Sequence, residues 1–184
     1  MGLRKWLGLK LFKGLYDKAV ENHTLRTLFW ECTLRCNLAC RHCGSDCRVD
    51  VAQPDMPLAD FLRVLDNEVT PNVNPKDVLI IFSGGEVLMR RDLEEAGHEV
   101  TRRGYMWGMV TNGMALTRER LYSLVSAGLR SVSVSFDGFE EAHNHIRRNP
   151  QSFRKALEAI RNIRSIDGLV YDVITCVTPA MIDH

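Results

Sequence analysis

Apolar, β-branched runs alternate with helical patterns along this chain, and that alternation restricts its fold more than any other feature. Strands are expected at residues 25–31, 77–82, 106–111, 131–136 and 169–178. Helices are expected at residues 58–69, 93–103, 117–127, where Gly128 closes the pattern, and 151–163. Such repetition specifies an α/β fold with a parallel sheet built from right-handed βα units. A parallel sheet must have both faces covered or close into a barrel. The fifth strand reaches Pro179, and the chain stops at His184 without a further helical pattern. The expectation is therefore a parallel (βα) partial barrel, truncated after the fifth strand.

Ahead of this alternation, Leu3, Trp6, Leu7, Leu11, Leu15, Tyr16 and Ala19 fall on one helical stripe, with Lys5, Lys10, Lys13 and Lys18 mostly elsewhere. Residues 1–24 are read as an N-terminal amphipathic helix and residues 25–184 as a core domain, incomplete at its C-terminus. A basic amphipathic helix can lie on a membrane, but packing against its own domain is the preferred reading, so membrane contact is disfavoured. With 24 Lys and Arg against 23 Asp and Glu, the net charge of +1 gives no field of the kind that attracts nucleic acid. No apolar run approaches the roughly 18 residues that a spanning helix requires. The N-terminus also lacks a secretory cleavage site, so a cytoplasmic location is expected.

Five of the six cysteines (Cys32, Cys36, Cys40, Cys43 and Cys47) crowd into one segment of a chain large enough not to need disulfide staples. That clustering points to metal. Cys36, Cys40 and Cys43 lie within a single loop after the first strand, where one loop can wrap three corners of a cubane. Four thiolates saturate a [4Fe-4S] cluster, so three leave one iron open to chemistry. A zinc site made of three cysteines plus His42 or Cys47 has compatible spacing and remains an alternative. Cys32, Cys47 and Cys176 are read as small buried hydrophobes.

Cys36-x3-Cys40-x2-Cys43 resembles the C-x3-C-x2-C motif of the radical S-adenosylmethionine superfamily, placed after the first strand as in that family. The fold expected is thus a partial barrel of the radical SAM type. Three further motifs follow in the family's order. Ser83-Gly84-Gly85-Glu86 resembles the GGE motif, whose backbone receives the methionine amino group, with Val87 where proline is common. Thr111-Asn112-Gly113 is similar to the family's TNG turn, read here mainly as loop geometry. Ser135 to Asp137, followed by Arg147, resembles the strand-four motif, whose serine meets the ribose or carboxylate and whose arginine pairs with the carboxylate. His42 stands where the family often has an aromatic ring against the adenine, and Arg148 is read as a solvated charge.

The resemblance implies a metal site at Cys36, Cys40 and Cys43. It implies cofactor contacts from His42, Ser83, Gly84, Gly85, Glu86, Ser135, Asp137 and Arg147. The implied cofactors are a [4Fe-4S] cluster and S-adenosyl-L-methionine, reductively cleaved to methionine and a 5′-deoxyadenosyl radical that takes hydrogen from a substrate. An external electron donor such as a flavodoxin or ferredoxin is also implied. The Trp30 to Leu38 string and the Ser-Phe-Asp-Gly strand are most similar to SPASM or twitch enzymes, which modify peptides or proteins. A small-molecule tailoring enzyme acting on a tetrapyrrole or quinone, or a non-catalytic metal-binding module, are the alternatives.

Overall fold

The structure is a computed structural model and describes residues 2–45 and 47–177. The expected strand end at Thr178, with Pro179 and His184, lies outside the described residues, as does the side chain of Ala19.

Five strands form one parallel sheet: β1 (Thr27–Thr33), β2 (Leu79–Gly84), β3 (Met106–Thr111), β4 (Leu129–Ser135) and β5 (Val170–Ile174). Their order across the sheet is their order along the chain. A sheet that advances without reversing has no switch-point crevice, so its ligands belong at the C-terminal strand ends, as in βα barrels.

One face of the sheet carries the large apolar side chains. Ile80 and Phe82, Trp107 and Met109, and Val132 and Val134 are buried there against α3 (Leu93–Arg102), α4 (Arg118–Ser126) and α6 (Ser152–Arg164). Aromatic stacking extends this core, with Trp30 lying 3.8 Å from Phe61 and Phe82 5.0 Å from Trp107 between ring centroids. The alternate residues Ser83, Val110, Ser131, Ser133 and Ser135 are only half-buried on the other face. The serine alternation in β4 thus separates the two faces as a period of two requires.

The helix expected over 58–69 begins as α2 (Leu58–Val64) and continues as a π turn, Leu65–Val69. Pro71 ends it, because proline donates no backbone hydrogen bond and disfavours α conformation in the residue before it. One helix carried no clear periodic signal in the sequence: α5 (Glu140–Arg147), which buries only His143 and Ile146.

The N-terminal helix α1 (Leu3–Asn22) forms, but it does not bury an apolar stripe against the core. Leu3, Trp6, Leu7, Leu9, Leu11, Phe12, Leu15, Tyr16 and Val20 are all exposed. The expected stripe omitted Leu9, Phe12 and Val20. At 100° per residue these point away from Leu3, Leu7 and Leu11, so no single face is apolar enough to dock.

Candidate active site

Beyond β1 the chain enters the cysteine loop, which is held on two sides. Cys36 N–H donates to Arg48 O at 2.9 Å, beside an isolated parallel bridge between Arg35 and Arg48. Across the loop, Arg41 N–H donates to Ile146 O (2.8 Å) and Arg41 Nε to His145 O (3.2 Å), fastening it to the last turn of α5. Asp55 braces the entry, accepting from Thr33 Oγ1 at 2.6 Å and from Arg35. Partial burial pushes the Asp55 carboxyl upward, but the bonds from Arg35 and Thr33 prevail and hold it below the usual carboxylate value.

Cys36, Cys40 and Cys43 line one cavity of about 280 Å³ at the C-terminal ends of the strands. His42, Ser83, Gly84, Gly85, Ser135, Asp137 and Arg147 line it too. Every site residue read from the sequence is therefore brought together here except Glu86. Cys47, Cys176 and Asn112 join the wall, whereas Cys32 lies in the main core, where burial pushes its thiol up to about 12.

The Gly84-Gly85 turn is pressed against the start of the loop. Gly84 has φ +131, and a Cβ at either position would overlap a backbone oxygen, that of Thr33 for Gly84 and that of Arg35 for Gly85. The close approach permits two ties: Gly85 N–H to Thr33 O (2.8 Å) and Glu86 N–H to Arg35 O (2.9 Å).

Glu86 points the other way and is 1% exposed. Its Oε1 accepts from Thr111 Oγ1 (2.7 Å) and Leu88 N–H (3.2 Å), and its Oε2 accepts from Asn112 N–H (2.7 Å). The carboxylate thus joins the β2 turn to the β3 turn and presents no group to the cavity. Burial pushes its pKa above the ordinary value, against the lowering effect of these bonds.

Asn112, read from the sequence as part of a turn, reaches the cluster loop. Its Nδ2 lies 3.8 Å from Cys36 Sγ and 2.8 Å from Asn37 Oδ1, while its Oδ1 accepts from Met114 N–H at 2.9 Å, which fixes the amide orientation. Cys36 Sγ also accepts from Leu38 N–H at 3.4 Å. Arg147 Nη1 lies 3.8 Å from Cys40 Sγ. Burial raises the thiol pKa of both Cys36 and Cys40. Such thiols stay protonated until a metal centre takes their protons' place.

At the end of β4, Asp137 is fully buried beneath this wall. Its Oδ2 receives Arg147, its Oδ1 accepts from Cys176 N–H (2.9 Å), and His42 Nε2 is 3.6 Å away. Asp137 N–H donates to His143 Nδ1 at 2.9 Å, and burial lowers the pKa of that histidine.

The donor set fits an iron–sulfur cluster: three thiols share one wall, and N–H groups are aimed at two of the sulfurs. Among the described residues, no three His, Cys, Asp or Glu side chains close on one point as the ligands of a single ion do.

Residues 30–181 match the family model described as the Radical SAM superfamily. This chain belongs to that superfamily. The radical SAM cofactors are a [4Fe-4S] cluster and S-adenosylmethionine, and the family is one of enzymes. An AdoMet-dependent heme synthase of Nitratidesulfovibrio vulgaris is 31% identical over 157 residues, covering 84% of this chain and 41% of the relative. A PqqA peptide cyclase of Bradyrhizobium diazoefficiens is 32% identical over 138 residues, covering 74% and 35%. The chain thus spans about two fifths of the length of these relatives. Among solved structures, anSMEcpe with bound AdoMet matches with TM-score 0.69 at 22% identity, over 87% of this chain and 45% of that one. Streptococcus suis SuiB bound to precursor peptide SuiA matches at TM-score 0.64 and 13% identity, over 97% and 40%. Both carry the radical SAM fold that the sequence resemblance implied.

Proposed function

We propose that this chain is the S-adenosylmethionine-cleaving core of a radical SAM enzyme that takes a hydrogen atom from a peptide or protein. The observation that carries this reading is one cavity lined by all three motif cysteines, the Gly84-Gly85 turn and the Ser135 to Arg147 segment. With its cluster, the site supplies reductive cleavage of S-adenosylmethionine to methionine and a 5′-deoxyadenosyl radical.

The chain's own residues divide the remaining work. Cys36, Cys40 and Cys43 hold the cluster. The backbone of Gly84 and Gly85, which lines the cavity, receives the methionine amino group, and Ser83 and Ser135 offer hydroxyls from one sheet face. Arg147 presents a guanidinium to the carboxylate, while Asp137 orients Arg147 and lies beside His42. The His42 ring offers a flat surface to the adenine. A flavodoxin or ferredoxin supplies the electron, and free cysteines throughout the chain suit a reducing, cytoplasmic compartment. No helix among the described residues is long and apolar enough to cross a membrane.

The peptide reading is supported by the PqqA peptide cyclase relative and by neighbours whose structures hold peptides. A tetrapyrrole substrate is the second reading, favoured by the heme synthase relatives at 30–34% identity. Anaerobic reconstitution should load about four irons per chain, and dithionite should then release 5′-deoxyadenosine. Deuterium passing from labelled peptide to 5′-deoxyadenosine supports the first substrate class, and from labelled porphyrin the second. Tight zinc binding without charge-transfer absorption would overturn the cluster.

A further inference from the structure

The cysteine loop carries four thiols in sequence, of which the proposed cluster uses three. The fold returns the fourth, Cys47, to the same place. It is 5% exposed, packs with Cys36, Leu38 and Cys40, and stands on the cavity wall beside the other three. The main chain enforces this return, because the Arg35 to Arg48 bridge and the Cys36 N–H bond to Arg48 O fasten the residue after Cys47 to the residues that open the loop. The Cys47 Sγ donates a long bond, 3.7 Å, to Ser45 O.

Neither of the two other cysteines is both buried and on this wall. Cys32 is buried in the main core with its carbonyl bound by Arg90, and Cys176 is exposed at the rim after β5. Four thiolates saturate a [4Fe-4S] cluster, and three leave one iron with a vacant position. A fourth buried thiol, weakly bonded and in contact with a ligand of that cluster, is a ready occupant for the vacancy.

We infer that Cys47 is an exchangeable fourth ligand, which closes the open iron before S-adenosylmethionine arrives and yields the position to it. The inference rests on the cluster reading above. The exchange moves no electrons: the thiol releases its proton to solvent as the sulfur–iron bond forms. It regains a proton when the amino nitrogen and carboxylate of S-adenosylmethionine replace it. The resting centre is then shielded from water and dioxygen, and the cosubstrate must compete for entry.

The test compares wild type with Cys47→Ala, both reconstituted anaerobically, by iron counting, electron paramagnetic resonance of the reduced cluster and calorimetric titration with S-adenosylmethionine. Both proteins should hold four irons. Their reduced spectra should differ without S-adenosylmethionine and coincide once it is added. If the closed form is about nine-tenths of the resting protein, the variant should bind S-adenosylmethionine roughly tenfold more tightly. Identical spectra without cosubstrate and equal affinity would overturn the role of Cys47. Loss of the cluster in both Cys47→Ala and the bulkier Cys47→Val would overturn exchangeability, since the ligand would then be obligatory. A wild-type chain that takes up no four-iron cluster instead overturns the site reading itself.

Discussion

Arg147 and Asp137 meet on a single oxygen: Nε and Nη2 of the arginine both lie 2.7 Å from Asp137 Oδ2, and the aspartate is wholly buried. Arg147 therefore holds the fold as well as facing the cavity. Removing one partner of a buried ion pair strands the other charge, at a cost of roughly 3–5 kcal/mol. Arg147→Met should lower the denaturation midpoint accordingly and also weaken S-adenosylmethionine binding by about 1.5–3 kcal/mol. Arg148→Met, at the exposed left-handed C-cap of α5, should leave both unchanged. Chemical denaturation and calorimetry on the two variants measure this ranking, and equal losses would contradict it.

Asn112 donates to Cys36 Sγ, and a bond of that kind favours the reduced, more negative cluster. Replacing it with leucine removes one donor worth about 0.5–1.5 kcal/mol, which for one electron corresponds to a potential roughly 20–60 mV more negative. A potentiometric titration followed by electron paramagnetic resonance reads the shift. A rise in potential would refute this role.

At Gly85 the obstacle is a backbone oxygen, which cannot swing aside as a side-chain end can. Gly85→Ala should push the β2 turn away from the cysteine loop, costing about 1–3 kcal/mol and reducing cluster retention. A variant with wild-type iron content and melting temperature would show that the contact relaxes freely.

Glu86 gives a pH dependence of defined sign. Its folded pKa lies above its ordinary value of 4.5, so the folded state binds the proton more tightly than the unfolded chain does. The resulting stabilisation is fully present below 4.5 and is lost as pH rises through the raised value. Glu86→Gln abolishes that slope, but it places an amide donor towards either Asn112 N–H or Leu88 N–H, so it should also be less stable than wild type at low pH, where Glu86 is protonated. Denaturation midpoints of both proteins across the acidic range check the two effects. An unaltered slope in the variant would assign the titration to another group.

The strands and most helices were legible because their apolar periods are strong: Ile80, Phe82, Trp107 and Met109 alternate as a half-buried sheet must. Helix α5 was not, since its buried positions are a histidine and a single isoleucine. Its acidic first turn, Glu140 and Glu141, and its basic last turn are the signals that mark it. In the site, the cysteines and glycines were legible by spacing, whereas Asn112 and Asp55 act through long-range contacts that no local pattern announces. Glu86 belongs to a motif whose glycines reach the cavity, while its own carboxylate faces inward. In the N-terminal helix, Leu9, Phe12 and Val20 lie off the stripe of Leu3, Leu7 and Leu11, so its apolar residues define no single docking face.

Strand order that copies chain order also fixes when the centre can be completed during synthesis. Cys40 emerges 107 residues before Arg147, the side chain that reaches its sulfur. At ribosomal rates of about 5–20 residues per second, the loop thiols wait roughly 5–20 s for α5 to dock. During that interval the thiols are accessible to any oxidant or stray metal. Assembly of this centre is therefore a kinetic problem for the nascent chain, and the timing of iron delivery bears on yield as directly as affinity does.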